Sequence, residues 1–178
     1  MSDHERQEVV DSLRQAVAFL ERSMNGALVP DSGSNIAYAT SRARDLRDVA
    51  TIQGRIVRNG DRIAVTGLPS FGECDEVAGI VLTAMKFDPE IRSASVIRYS
   101  QKTVEILKDL FYEVCSFDRA REPPGISTMD WGVASCCRGG VPDAIFDCGA
   151  PGKEAVIRVF AENPVDLASI IGKICSRE

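Results

Sequence analysis

With 178 residues, 44% of them hydrophobic, the chain is sized for a single domain (1–178) around one core, and its composition excludes a disordered chain. A net charge of −5 and a pI near 5.0 exclude a broad basic surface for nucleic acid or anionic membrane, and leave room only for a local basic pocket. No apolar run approaches the roughly 20 residues that span a bilayer, and the polar, acidic opening Met-Ser-Asp-His-Glu-Arg-Gln-Glu does not read as a secretory signal.

From about Asp3 to Met24 the spacing predicts a helix, with Val9, Val10, Leu13, Ala16, Val17, Leu20 and Met24 on one face and Asn25-Gly26 as the stop. That face serves a partner or dimer contact or, more ordinarily, packs on the chain's own sheet. No second helix follows at helix-turn-helix distance, so no DNA-reading module is expected. The polar loop Pro30–Asn35 then runs into a short strand through Ala39; Gly33-Ser34-Asn35 suits either ligand contact or an ordinary turn. Alternation from Gly54 to Val65 around Asn59-Gly60 predicts a type I′ hairpin.

Phe71-Gly72 leads to a helix from about Cys74 to Lys86, ended by Asp88-Pro89. Glu73, Asp75 and Glu76 crowd its first turn. The helix dipole favours carboxylates there, but they also line with negative charge a terminus that could otherwise bind phosphate. Ala94–Tyr99 reads as a strand, and Ser100 caps a helix through Phe111 with Val104, Leu107, Leu110 and Phe111 inward. Val114–Asp118 reads as another strand, closing on the polar loop Asp118–Pro124, either a site or a solvated salt-bridge cluster. Ser127 or Thr128 could cap a short helix carrying Trp131, Ala134 and Cys137. Asn163-Pro164 opens a last amphipathic helix.

Between these lie two β-prone runs, Ala144–Phe146 and Ala155–Phe160, around a loop of Gly149, Pro151, Gly152 and Lys153. Glycine amides turned to one point beside a lysine can cradle a phosphate; the alternative is a hairpin-like connection with a solvated lysine. It is not a Walker A loop, since Glu154 stands where Ser or Thr would hold magnesium. Interleaved strands and helices with two antiparallel pairs predict an α/β fold whose mixed, mainly antiparallel sheet carries helices on both faces.

Cys74, Cys115, Cys136, Cys137, Cys148 and Cys175 lack C-x-x-C spacing, and the chain is larger and less cysteine-dense than disulfide-built secreted domains. Free thiols in a reducing cytoplasm are expected. The only histidine, His4, lies in the leading polar segment, so no metal site is expected and no histidine relay can form inside the fold. A general acid or base here must be a carboxylate, lysine, cysteine or tyrosine.

The ordered set Gly33-Ser-Asn-Ile-Ala-Tyr-Ala39, Gly54-Arg-Ile-Val57, Phe71-Gly72, Ile97-Arg-Tyr-Ser100, Asp118-Arg119 with Glu122-Pro123, Trp131-Gly132, Val141-Pro-Asp143, Asp147, Gly149 and Gly152-Lys-Glu154 resembles the archaeal thiamine-phosphate synthase family of the ThiN type. The resemblance covers nearly the whole chain. It implies a three-layer α/β/α fold akin to the aldolase-epimerase class. It also implies condensation of hydroxymethylpyrimidine diphosphate with a thiazole phosphate, with magnesium where the domain is catalytic. Carried over motif by motif, it implies Arg55 and Glu76 at catalytic positions, and Gly33, Ser34, Asn35, Arg98, Asp118, Arg119, Trp131, Asp147, Gly152 and Lys153 at the ligand.

Most of the departures fall in one run. Where the family has a Ser-Ser-His-Val-Ala-Arg type run, this chain has Cys74-Asp75-Glu76-Val77-Ala78-Gly79, so the histidine position is Glu76 and the arginine position Gly79. A usual asparagine falls at Val96, while the arginine that works with the histidine is retained as Arg55. A departing diphosphate needs cations and donors around it, and Asp75 and Glu76 would repel it unless magnesium lay between them. The expectation is a domain that binds thiamine phosphate or its precursors with synthase activity weakened or lost. The alternatives are an active magnesium-dependent synthase and a scaffold or regulatory subunit, as a homodimer or otherwise.

Overall fold

The structure, a computed structural model, describes residues 3–121 and 130–178. Helix α1 (Asp3–Ser23) is followed by β1 (Ile36–Ala39), β2 (Val49–Ile52), a hairpin of β3 (Ile56–Asn59) and β4 (Arg62–Val65), and β5 (Pro69–Phe71). Then come α2 (Glu76–Phe87), β6 (Ser93–Arg98), α3 (Gln101–Asp109), β7 (Val114–Ser116), α4 (Trp131–Cys136), β8 (Ala144–Phe146), β9 (Val156–Ala161) and α5 (Pro164–Cys175). Seven strands form one sheet in the order β5-β2-β1-β6-β9-β8-β7. Every neighbouring pair is antiparallel except β7 with β8, which is parallel. The expected mixed, mainly antiparallel sheet is therefore present.

Alternation along the strands divides the core. Ile36, Ile97 and Ile157 face α1, α3 and α5, where Leu13, Leu20, Leu107 and Ile171 are buried. Ala37, Val96 and Phe160 face α2 and α4, where Val77, Val81, Ala84 and Val133 close the other side. Burial of such side chains contributes roughly 1.5–3 kcal/mol each. The layers are α/β/α, and β3–β4 packs Ile56 and Ile63 into the α1 side. Central strands β6 and β9 are buried on both faces, so hydroxyls there need partners: Ser93 Oγ donates to Ala37 O at 2.8 Å and Ser95 Oγ to Asn35 O at 2.7 Å.

The structure corrects several local expectations. The hairpin pairs Asn59 with Arg62, so Gly60-Asp61 is the turn. Gly60 has φ +63° and is the one central residue with positive φ, the sign pattern of type II′ rather than I′. The tip is set by tertiary contact: Gly26 N donates to Asp61 O at 2.8 Å, and a Cβ on Gly26 would lie 2.4 Å from Gly60 O. Helix α2 starts at Glu76, because Asp75 Oδ1 accepts from Val77 N at 3.0 Å and serves as the cap. Ser100 and Asn163 cap α3 and α5 as their sequence positions suggest. The cap of α4 is Asp130, while Ser127, Thr128 and the Glu122-Pro123-Pro124 stretch lie outside the described residues.

Phe111 does not point inward. It is 95% exposed and sits at φ +66°, just past the end of α3, with its N–H on Lys108 O and that of Tyr112 on Leu107 O. That is the Schellman arrangement, at the position where glycine is usual. Phe111→Gly is therefore expected to stabilise the fold by about 1 kcal/mol, read as a higher urea midpoint with unchanged slope; a lower midpoint would mean the ring makes a stabilising contact.

Free thiols are contradicted at two positions: Cys115 on β7 and Cys136 on α4 form a disulfide. Packing of α4 against the edge strand brings together residues 21 apart in sequence, a pairing that spacing alone does not signal. Cys74 and Cys148 are exposed thiols. Burial, reinforced by the Asp130 charge, pushes the Cys137 thiol up to about 11. Iodoacetamide at pH 8 should therefore label Cys74 and Cys148 and spare Cys137 in the native protein; early labelling of Cys137 by mass spectrometry would contradict its packing.

Candidate functional site

The Pro30–Asn35 loop is where the candidate residues meet. Ser32 O accepts from Arg55 Nη1 at 3.2 Å, while Ser32 N and Oγ both donate to Glu154 Oε1 at 3.3 Å. Asp31 N donates to Glu154 Oε2 at 2.7 Å. Arg55 and the residue following Lys153 thus converge on one loop. Gly33, at φ +88°, lines a cavity of about 310 Å³ with Asp31, Ser32, Arg58 and Arg98. Arg98 reaches across it to Asp31 Oδ1 at 2.5 Å and Val29 O at 3.3 Å.

Arg55 is held by acids. It is one of two non-glycine residues with positive φ among those described, at +63°, a conformation that costs roughly 1–3 kcal/mol and persists where surroundings enforce it. Its Nε pairs with Asp75 Oδ2 at 3.2 Å and its Nη2 with Glu76 Oε1 at 3.5 Å. Asp75 Oδ2 also accepts from Asn35 Nδ2 at 2.9 Å. The carboxylates expected to repel a diphosphate are therefore paired with the arginine expected to bind it.

Magnesium at this pair would compete with those contacts: Asp75 gives one oxygen to the α2 cap and the other to Asn35 and Arg55, while Glu76 faces the same guanidinium. Among the described residues, no group of three or more His, Cys, Asp or Glu is arranged to hold a metal.

A second cavity, of about 320 Å³, is lined by Ser116, Phe117, Asp118, Arg119, Cys148 and Gly149, together with Phe146. Trp131 stands edge-on to Phe117 with ring centres 6.0 Å apart, and Phe146 stacks on Tyr99 at 5.4 Å. The neighbouring Cys148 thiol, with a little burial, pushes the Tyr99 hydroxyl above its ordinary pKa. Behind the wall, buried Asp147 accepts from Arg119 Nη1 at 3.3 Å and Arg158 Nη1 at 2.9 Å. Gly149 joins this cavity to the first through its loop, since Glu154 at the other end bonds Asp31 and Ser32.

The loop itself is a closed turn rather than an open cradle. Ala150 N donates to Lys153 O at 3.1 Å, Lys153 N to Ala150 O at 2.8 Å, and Gly149 N to Asp147 Oδ1 at 2.8 Å. With Pro151 before Gly152 at φ +74°, this is type II geometry, and three of the amides a phosphate would need are already used. Ser34 and Asn35 are also turned inward: Ser34 Oγ donates to Val96 O at 2.6 Å, and Asn35 uses all its side-chain hydrogen bonds within the protein. Asp31, Ser32, Glu154 and Arg158 belong to the site though none stood out in the sequence as ligand residues, and Asp75, expected only as a repelling charge or a magnesium ligand, belongs to it as a partner of Arg55. Arg158 carried the clearest signal: a charge inside the apolar run Val-Ile-Arg-Val-Phe must be paired when both faces of the strand are buried.

The class defined by these features is a three-layer α/β/α domain of the aldolase/epimerase-like architecture, with two arginine-bearing cavities joined by one turn. A putative aldolase/epimerase/decarboxylase from Escherichia coli shares the architecture, at TM-score 0.50 and 11% identity over 98% of this chain and 87% of that one. Residues 12–173 match the family model described as thiamine-phosphate synthase ThiN, and the chain belongs to that family. It is 41% identical over 165 residues to the bifunctional thiamine biosynthesis protein ThiDN of Methanocaldococcus jannaschii, covering 91% of this chain but only 39% of that protein. Thiamine-phosphate synthase ThiN of Methanothermobacter thermautotrophicus is 29% identical over 173 residues, covering 93% of this chain and 91% of that one. A solved C-terminal domain of a phosphomethylpyrimidine kinase superposes at TM-score 0.87 with 34% identity, over 96% of this chain and all (100%) of that one.

Proposed function

We propose that this domain binds thiamine phosphate or its pyrimidine and thiazole phosphate precursors, and that its synthase turnover is weakened or lost. One observation carries the second half: the Arg55 guanidinium is engaged by Asp75 and Glu76, with Nη1 on Ser32 O. A cation already neutralised by two carboxylates contributes little to a departing diphosphate, whose stabilisation depends on uncompensated positive charge. Arg98 and Arg119, each lining a cavity, support the first half. In this reading the ligands are small phosphate esters, the setting is the cytoplasm, and neither nucleic acid nor a membrane surface is a partner; no helix among the described residues is long and apolar enough to cross a membrane.

The test pairs calorimetry with a synthase assay. Thiamine phosphate or a precursor should give saturable heat, while both precursors together, with and without magnesium, should yield no thiamine phosphate above the uncatalysed background. Silence from every ligand would end the binding claim, and steady turnover would establish the active-synthase alternative instead. Glu76→His alone is expected to leave turnover near background, because Asp75 still holds Arg55 and Gly79 and Val96 are unchanged; robust turnover from this one substitution would show that Glu76 is the sole block.

A further inference from the structure

Two arginines share one carboxylate behind the wall of the second cavity. Asp147 is fully buried, at 0% exposure; its Oδ2 accepts from Arg158 and Arg119, and its Oδ1 from the Gly149 amide. The Arg158 side chain is 5% exposed, lies 4.9 Å from the Phe117 ring centre, and has an Nε with no hydrogen-bond partner. Arg119, at 22%, is the member of this triad that lines the cavity. Asp118 at the rim adds a carboxylate, but it accepts from Ala120 N at 2.9 Å and lies 3.9 Å from Arg121 Nε. Two carboxylates against three guanidiniums leave the described surroundings one negative charge short.

A buried or half-buried cation is stable when paired, and the missing partner here has an open volume beside it. We propose that this cavity is a phosphate subsite, in which Arg119 binds a phosphate monoester and Asp147 and Arg158 are positioning residues that fix its guanidinium. A planar guanidinium held on one edge presents its remaining N–H groups in a fixed fork, which matches phosphate oxygens better than a swinging lysine. The choice of phosphate over another anion rests on the function proposed above; the need for an anion rests on the charge balance alone.

The experiment titrates the whole chain with thiamine phosphate, unphosphorylated thiamine and inorganic phosphate. It compares the wild type with Arg119→Gln, Arg158→Lys and Arg158→Met. The wild type should bind thiamine phosphate at least tenfold more tightly than thiamine, and more weakly as salt rises. Arg119→Gln should lose about tenfold to a hundredfold in affinity for the phosphate forms alone, the range expected of charge-assisted bonds. Arg158→Lys keeps the charge but not the fork; it should lose about tenfold while still melting cooperatively.

Unchanged phosphate affinity in a folded Arg158→Lys would reduce Arg158 to a structural residue and overturn its positioning role. If thiamine phosphate binds equally well to Arg119→Gln, the subsite fails while the proposed function stands. If inorganic phosphate binds in an Arg119-dependent way and thiamine phosphate does not, the subsite stands and the proposed function fails. Absence of binding by every probe overturns both. Should Arg158→Met fail to fold, the half-buried Arg119→Gln arm still decides the subsite.

Discussion

Asp147→Ala is expected to destabilise the fold by roughly 3–5 kcal/mol, the range for removing one partner of a buried ion pair. The aspartate has no solvent exposure, so water does not replace it, and the Arg158 guanidinium left behind sits on the buried central strand β9. The Gly149 amide loses its acceptor at the same time, which releases the turn that carries Gly152 and Lys153. In urea, at a slope of about 2 kcal/mol/M, the midpoint should fall by about 2 M. Asp147→Asn is no rescue. Its amide must place NH₂ either against the two guanidiniums or against Gly149 N–H, a donor facing donors in both cases.

The double substitution Asp147→Ala with Arg158→Met separates charge from shape. Removing both charges leaves a cavity but no orphaned ion, so the double variant should be more stable than Asp147→Ala alone. A double variant at the additive sum of the two single losses would show that the pair is not coupled. A loss below about 1 kcal/mol for Asp147→Ala would show that another anion compensates Arg158.

How much of this was readable beforehand differs by residue. Ser100 and Asn163 announced their helices because a capping side chain acts within three residues, and the pairing around Gly152 followed from a turn of fixed chemistry. Phe111 misled because an apolar residue at helical spacing looks buried, and nothing in the spacing reveals that the chain has already turned left-handed. The hairpin slipped by one residue because its tip answers to Gly26, some thirty-five positions earlier in the chain. The glycine loop holds amides enough for a phosphate, but Asp147 and the turn itself engage three of them, which spacing alone does not reveal. Likewise the acidic first turn of α2 was visible as negative charge, but its pairing with Arg55 depends on two turns distant in sequence packing side by side.

Asn35→Ala should cost about 3 kcal/mol, the second large loss expected, and it links the sheet to the site. Asn35 is 1% exposed, with Oδ1 accepting from Ile36 N at 2.8 Å and Ile52 N at 3.0 Å. Its Nδ2 donates to Ile52 O at 3.0 Å and Asp75 Oδ2 at 2.9 Å. On the β5 side Gln53 N donates to Leu68 O and Gly72 N to Val49 O, so Ile52 turns its own N–H and C=O toward β1, where the amide side chain carries the β1–β2 ladder past Tyr38–Ala50. Deleting it strands buried backbone groups at about 1–3 kcal/mol each, less whatever relaxation recovers. Asn35→Asp keeps the shape and places a second carboxylate against Asp75. Burial and like charge would raise that new group's folded pKa above its unfolded value near 3.9. Its penalty should then be full above the folded pKa and fade as pH falls toward the unfolded one, so the variant gains on the wild type in acid. A pH-independent difference between Asn35→Asp and wild type, or a loss under 1 kcal/mol for Asn35→Ala, would mean that water enters this corner and the Asp75–Arg55 clamp stands without Asn35.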